Sequence, residues 1–378
     1  MSSSPKMYEF HPDTHPSYLA PLLSLLRTRL PVSIPLYRRI QFAHFTPPTR
    51  LILSFEPSYL ATASPHPPQE PWLIAYSDPD RGPETQIFLH GSWEVAHPTQ
   101  PNHDSDTIPT DTPSPEQDEH VIALLRAFIT HVRDSNLYHP SHQTPDMAAR
   151  VAAALGPAGR ATVNGGKDVA GRVKHHALLG AVHEATARVL RGFGILDPEF
   201  VDGEMEIGGM PERYNKWVFD LRGREGEGNV ELPEGLRWGE VRERDFWIVR
   251  GRTGIPRQDR TLRMLPSVAI YPVAEGRREN EVEPIAWTFL GVDSSLTTLH
   301  VEEEYRGRGL AKKLARMVWK QHLHLYVDKY VEEGVKVDER WAHADVALSN
   351  GPSNGVCKSL GGYTHWADYW FRADLDKI

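Results

Sequence analysis

The chain has 378 residues, 40% of them hydrophobic and 24% charged, with a formal net charge of -8. That length supports one large or two ordinary domains, each with its own core, and the acidic balance argues against nucleic acid or an anionic membrane as the main partner. The single cysteine, Cys357, excludes an intramolecular disulfide and a cysteine-based zinc site.

A reducing, cytoplasmic setting is the natural expectation for such cysteine usage. The N-terminus leads into no apolar core of a secretory leader. The most apolar early run, residues 19–36, is interrupted by Pro21, Pro31 and Pro35 and carries Arg27 and Arg29, which does not suit a membrane span.

In chain order, the leucines between residues 17 and 30 have the spacing of a short amphipathic helix. Three strand-like runs follow at 51–55, 72–76 and 86–90, separated by Pro-rich or Asp/Gly-rich turns, and read as a small meander. Residues 97–118 contain almost no apolar side chains and are expected to form a disordered loop, because they cannot bury enough surface to offset their ordering entropy. Helices are expected from about Glu119, at 145–155 and at 169–191, and a strand at 214–221. His176 and His183 then share a face of the third helix, where a solvated helix surface is the expectation and no metal is.

Beyond residue 230 the pattern sharpens. A strand at 236–241, helical turns at 245–250 and 259–265, and strands at 267–271, 284–290 and 296–301 are expected. A helix at 310–326, a strand at 343–348, a short helix at 353–360 and a last aromatic strand at 363–371 complete the order. This alternation specifies an α/β fold with helices packed on a mixed sheet. The expected division is an N-terminal α/β half, 1–230, and a C-terminal domain, 231–378.

The chemistry concentrates in the run from Thr298 to Ala311. A strand ends near Val301, a loop carries Arg306, Gly307, Arg308 and Gly309, and a helix begins at about Leu310. Gly307 and Gly309 allow positive φ, so successive amides can approach a ligand, and the helix N-terminus adds unpaired donors. A pyrophosphate is the natural guest. The spacing of a mononucleotide P-loop is absent, and Lys312 stands where a dinucleotide fingerprint needs its third glycine.

Arg306-x-x-Gly309-x-Ala311 after a strand resembles the acyl-CoA motif of the GNAT acyltransferases. The segment from Asn350 and Ser353 through Cys357 to Leu360-Gly361 resembles that family's second motif. The order of Pro266-Ser267 and its strand, the strand bearing Trp287, and Tyr305-Arg306 is similar to the glycine N-acyltransferase branch. The resemblance covers about residues 230–378.

It implies a GNAT fold, with residues 1–230 as a degenerate second copy. It implies acetyl-CoA or another acyl-CoA as co-substrate, no metal, and a small amine or amino acid as acceptor. The loop Arg306, Gly307, Arg308, Gly309, Leu310 and Ala311, the strand backbone at Leu299 and Val301, and Asn350 and Ser353 would hold the coenzyme. The branch's basic glutamate falls at Ser295, which cannot act as a base; Asp293 and His300 are the substitutes. The family's tyrosine on the second-motif helix falls at Cys357, leaving Tyr363 or Tyr369 to protonate the thiolate. An acyl-CoA sensor without turnover and a protein acetyltransferase are the alternatives. The basic stretch Arg250, Arg252, Arg257, Arg260 and Arg263 reads as a solvated face, or as contact for a 3′-phosphate or an acidic substrate.

Overall fold

The computed structural model describes residues 5–61, 68–81, 84–96, 118–135, 137–138, 176–196, 212–221, 230–253, 257–273, 281–326 and 341–378. Among these, residues up to Asn215 and from Thr364 onward form one compact unit. Those from Lys216 to Tyr363 form another. The division thus falls before residue 230, and the last strand belongs with the first unit.

The first unit runs β1 (Tyr8–Phe10), α1 (Leu19–Arg27), α2 (Ile34–Gln41), β2 (Arg50–Leu53), α3 (Ser58–Ala61), β3 (Leu73–Ser77), β4 (Ile87–Gly91), α4 (Glu119–Asp134), β5 (His176–His183) and α5 (Glu184–Gly192). Strands β1 to β4 are an antiparallel meander, in register at Glu9↔Ile52, Ile52↔Ala75 and Ala75↔Leu89. β4 then meets β5 in parallel at Ile87↔Leu179. α4 lays Val121, Leu124, Leu125, Phe128 and Val132 on a core that also takes Leu73, Ile87, Leu179 and Phe371.

One expectation fails here and one element was not foreseen. Residues 176–183 are a strand, not part of a helix; 169–175, like the helix expected at 145–155, lie outside the described residues. Ala177 to Val182 is a short apolar run, and periodicity alone does not separate a buried strand from a buried helix. The helix begins only after His183, whose Nδ1 accepts from the Ala185 amide as its cap. α2 was not among the expected helices. Pro35 occupies the first turn of α2, where the missing N–H costs nothing. Of the expected loop 97–118, only Asp118 lies among the described residues.

The second unit follows β6 (Tyr214–Asp220) with β7 (Leu236–Gly239), α6 (Phe246–Gly251), α7 (Asp259–Met264), β8 (Ser267–Pro272), β9 (Ala286–Leu290), β10 (Leu296–Val301), α8 (Leu310–His322), β11 (Trp341–Ala347) and α9 (Gly351–Ser359). β7 to β10 form an antiparallel sheet, and Ser295, just before β10, makes a single parallel bridge to His343 of β11. β6 is hydrogen-bonded beside β11. α8 buries Leu310, Leu314, Ala315, Val318 and Trp319, with Trp319 packed on Phe219. The final strand, β12 (Tyr363–Asp374), pairs antiparallel with β5 of the first unit.

Apart from the short α3 of the first unit and β6 of the second, each unit contains a strand, two helices, three antiparallel strands, a helix, a parallel strand and a helix. Among the described residues, β4 and β5 share one register pair, Ile87↔Leu179, and the link between β10 and β11 is the single bridge Ser295↔His343.

Candidate functional site: the strand–loop–helix of the second unit

Local sequence dictates the geometry of residues 306–311. Gly307 and Gly309 sit at φ 75° and 74°, a region that costs L-residues roughly 1–2 kcal/mol. A Cβ placed on either glycine would meet no atom within 4 Å, so the space above the loop is open. Gly309 is the N-cap of α8, and no side chain caps that helix. Its first helical bond runs from the Lys313 amide to the Gly309 carbonyl. The amides of Leu310, Ala311 and Lys312 precede it and have no intrahelical partner. No acidic residue stands in the first turn of α8.

Arg306 and Arg308 are exposed at the loop. Arg306 Nε donates to the Val301 carbonyl (3.1 Å), and Arg308 Nη2 donates to the Glu304 carbonyl (3.1 Å) while packing over Tyr305. The arrangement combines free amides, a positive helix end and two guanidiniums, and can hold a multiply charged anion. The corresponding helix of the first unit differs. α4 is capped by Asp118, whose carboxylate accepts from the His120 and Val121 amides.

The strand before the loop is irregular. The β10–β9 register slips between Thr297 and His300, and Thr298 has φ 55°. Such a bulge leaves backbone groups outside the ladder. Leu299 and Val301 are half-buried on this strand. A cavity of about 50 Å³ opens at the bulge, lined by Val249, Arg252, Trp287, Thr298 and His300, among others. His300 stacks on Trp287, with centroids 4.7 Å apart at 25°, and its side chain is 17% exposed. Burial pulls its pKa below the ordinary imidazole value; Glu302 raises it in part, and Arg306 and Arg252 lower it further.

The other expected site residues are dispersed. Asp293 does not lie on a strand reaching the bulge, because β10 starts only at Leu296. It closes the tight turn Gly291–Ser295, accepting from the Ser295 amide (3.1 Å) and hydroxyl (2.6 Å). Burial pushes its carboxyl up, but His343, Lys216 and the Ser295 bonds together hold it below the usual value. Asn350 caps α9, its Oδ1 accepting from the Ser353 amide at 3.1 Å. Tyr363 is half-buried at the start of β12. Cys357 is buried, and its thiol is pushed up to about 12, by burial first and then by Asp345.

Sequence reasoning missed one constellation. Lys216 of β6 places Nζ 2.5 Å from Asp345 Oδ1 and 3.4 Å from His343 Nδ1, and His343 Nε2 lies 2.7 Å from the Asp293 carbonyl. Lys216 and His343 are fully buried. Asp293, His343 and Asp345 bring three ligand atoms within 4.8 Å of one another, a set able to hold a metal ion. The Lys216 ammonium already supplies a cation there. A lysine at the third residue of a β-rich run was the only available signal, since its partners His343 and Asp345 lie more than a hundred residues away.

A model of the acyl-CoA N-acyltransferase verG N-terminal domain matches residues 5–217. The chain belongs to that family. This acyl-CoA N-acyltransferase assignment agrees with the GNAT resemblance read from the loop and from α9, which lie outside the matched residues. A solved Drosophila structure is 13% identical, covers 98% of this chain and 99% of its own, and superposes with a TM-score of 0.53, which shows a shared fold. A tandem GNAT protein from the clavulanic acid biosynthesis pathway, solved without AcCoA, is 11% identical over 98% of both chains, with a TM-score of 0.43. A putative GNAT acetyltransferase from Novosphingobium aromaticivorans is 15% identical over 53% of this chain and 74% of its own, with a TM-score of 0.31. No curated protein matches the sequence. Among the described residues, no helix is long and apolar enough to cross a membrane.

Proposed function

We propose that the second unit binds acetyl-CoA, or another acyl-CoA, and transfers the acyl group to a small amine or amino acid. The observation that carries this reading is the uncapped start of α8, behind two left-handed glycines and flanked by Arg306 and Arg308. The coenzyme's pyrophosphate would lie on the 306–311 loop. Its pantetheine arm would run beside Leu299 and Val301 between β10 and β11, with Asn350 and Ser353 alongside.

Acyl transfer from a thioester needs an aimed neutral amine, a donor for the developing oxyanion and a proton acceptor. The backbone at the Thr298 bulge supplies the donor. The amine attacks the carbonyl carbon, a C–N bond forms, the C–S bond breaks and coenzyme A thiolate leaves. His300 takes the amine's proton, being held largely neutral by burial at neutral pH. Asp293 is bound inside its own turn and is not the base. Tyr363 is the candidate donor to the thiolate. A cytoplasmic setting suits a chain whose single cysteine is a buried thiol.

One observation favours a second reading, an acyl-CoA sensor. Ser295, at the branch's glutamate position, donates its hydroxyl to Asp293 and offers no base. A free-thiol release assay with acetyl-CoA and a panel of amines, beside His300→Gln and Arg306→Ala, separates the two. Amine-dependent release that both substitutions suppress supports the transferase. Coenzyme binding by calorimetry without release from any amine supports the sensor. Absence of binding refutes both.

A further inference from the structure

The run Glu302-Glu303-Glu304 reads in the sequence as a solvated loop, and for Glu303 and Glu304 the structure agrees, since both are exposed. Glu302 differs. One carboxylate oxygen, Oε1, accepts from Arg252 Nε of the segment after α6 at 2.9 Å. The other, Oε2, lies 3.5 Å from the buried His300 Nε2, an ion-pair separation without hydrogen-bond geometry. The Glu302 amide is fixed by the Ile285 carbonyl at 2.9 Å, so the side chain starts from an ordered backbone. The Val301 carbonyl, next in the chain, accepts from Arg306 Nε. The imidazole is clamped on its flat face by Trp287. Arg252 and His300 line the same small cavity at the bulge.

This is an ordered row from guanidinium to carboxylate to imidazole, ending at the cavity. A neutral imidazole carries one N–H and one lone pair, and a carboxylate facing one nitrogen decides which is which.

We propose that Glu302 is the positioning residue for His300: held by Arg252, it faces the Nε2–H and leaves Nδ1 as the nitrogen that accepts the proton of the acceptor amine. The inference rests on the reading of His300 as base. When the amine is acylated, its proton moves to Nδ1 and the resulting imidazolium is balanced by the Glu302 carboxylate. The charged groups around His300 are Glu302 and Arg306 from the loop and Arg252 from the opposite segment. Glu302 is the one among them that favours the imidazolium.

The test uses the full chain with ¹⁵N-labelled histidine, the His300 signal being assigned by its loss in His300→Gln. In the unsubstituted protein the ring should be the Nε2–H tautomer. Glu302→Gln should move its titration midpoint down and weaken the tautomer preference. Glu302→Asp should fall between, and Glu303→Gln should change nothing. With acetyl-CoA and the best amine of the panel, Glu302→Gln should lower kcat on the order of 10-fold, a part of what general-base catalysis contributes. It should leave the KM for acetyl-CoA within about twofold, and the acid limb of the pH profile should move with the spectroscopic midpoint. An unchanged midpoint and tautomer in Glu302→Gln overturns the proposal, as does unchanged kcat in a protein that turns over. Absence of transfer in the unsubstituted protein overturns the transferase reading instead, whatever the spectra show.

Discussion

Gly309→Ala isolates the anion loop from the stability of the fold. Gly309 has φ 74°, and a Cβ there would meet nothing within 4 Å, so the substitution has no packing term. Its cost is the conformational penalty of an L-residue in the left-handed region, about 1–2 kcal/mol. For a domain of this size that lowers Tm by about 2–4 °C per kcal/mol. A domain of ordinary stability, about 5–15 kcal/mol, stays essentially fully folded, so coenzyme affinity cannot fall through unfolding. Gly235 supplies a matched control, with φ 79° and equally empty surroundings, in the turn before β7. Both alanine variants should lose similar stability in urea titrations. Calorimetry with coenzyme A should then show weakening of at least about tenfold for Gly309→Ala alone. That equals about 1.4 kcal/mol, slightly less than one hydrogen bond to a charged group. Equal affinities for the two variants would refute the placement of an anion on this loop.

The buried ion cluster makes a different prediction: Lys216→Met should cost about 3–5 kcal/mol, because Asp345 is left as an uncompensated buried charge. If the double variant Lys216→Met with Asp345→Leu is no more stable than the single one, as judged by urea midpoints, that account fails. Acid sensitivity should follow from His183 and His343, both pulled below the ordinary value of 6.5, first of all by burial. Their folded pKa values are depressed, so the unfolded chain binds more protons, and stability should be full above about pH 6.5 and fall below it. Unfolding midpoints at pH 7.5 and 5.5 check this, and equal midpoints would remove both histidines from the argument. Asp293 and Glu94, also held below their ordinary values, should steepen the loss as pH falls further, through about 4.

The elements from residue 230 onward were legible because their strands alternate with glycine- and proline-marked turns and because the 306–311 loop carries its own backbone chemistry. Arg306, Gly307, Arg308 and Gly309 are residue types that a loop otherwise has little reason to combine, and the proposed anion site rests on them. The His176–His183 strand was not legible, since its apolar run fits either period. Nor was α2, whose Pro35 fits a first turn only once the helix start is known. The catalytic side was least legible. Asp293 looked available until the turn that holds it was seen, and Glu302 looked like one of three equivalent glutamates until Arg252 was seen to hold it. Lys216, His343 and Asp345 meet only through the placing of β6 beside β11, a long-range pairing that no local pattern encodes.

The two units share one order of elements and differ in chemistry where that order would matter most. In the second unit α8, which follows β10, starts from a left-handed glycine, with no side-chain cap and with arginines beside it. In the first unit the equivalent helix starts from Asp118, whose carboxylate consumes two of its first amides and adds negative charge where a phosphate would have to sit. The contact between the segment after β4 and the end of β5 with α5 is bridged by side chains: Thr186 Oγ1 donates to Glu94 (2.5 Å), Trp93 Nε1 donates to Thr186 (3.0 Å), and His183 Nε2 lies 3.2 Å from the Val95 carbonyl. Opening it would strand buried polar groups, each costing about 1–3 kcal/mol. Titration calorimetry with coenzyme A should therefore give one site per chain, abolished by Arg306→Ala with Gly309→Trp and untouched by Asp118→Asn. A second site, or one that survives the loop variant, would mean that the first unit binds the coenzyme despite its capped helix, and the functional asymmetry drawn from Asp118 and Gly309 would be wrong.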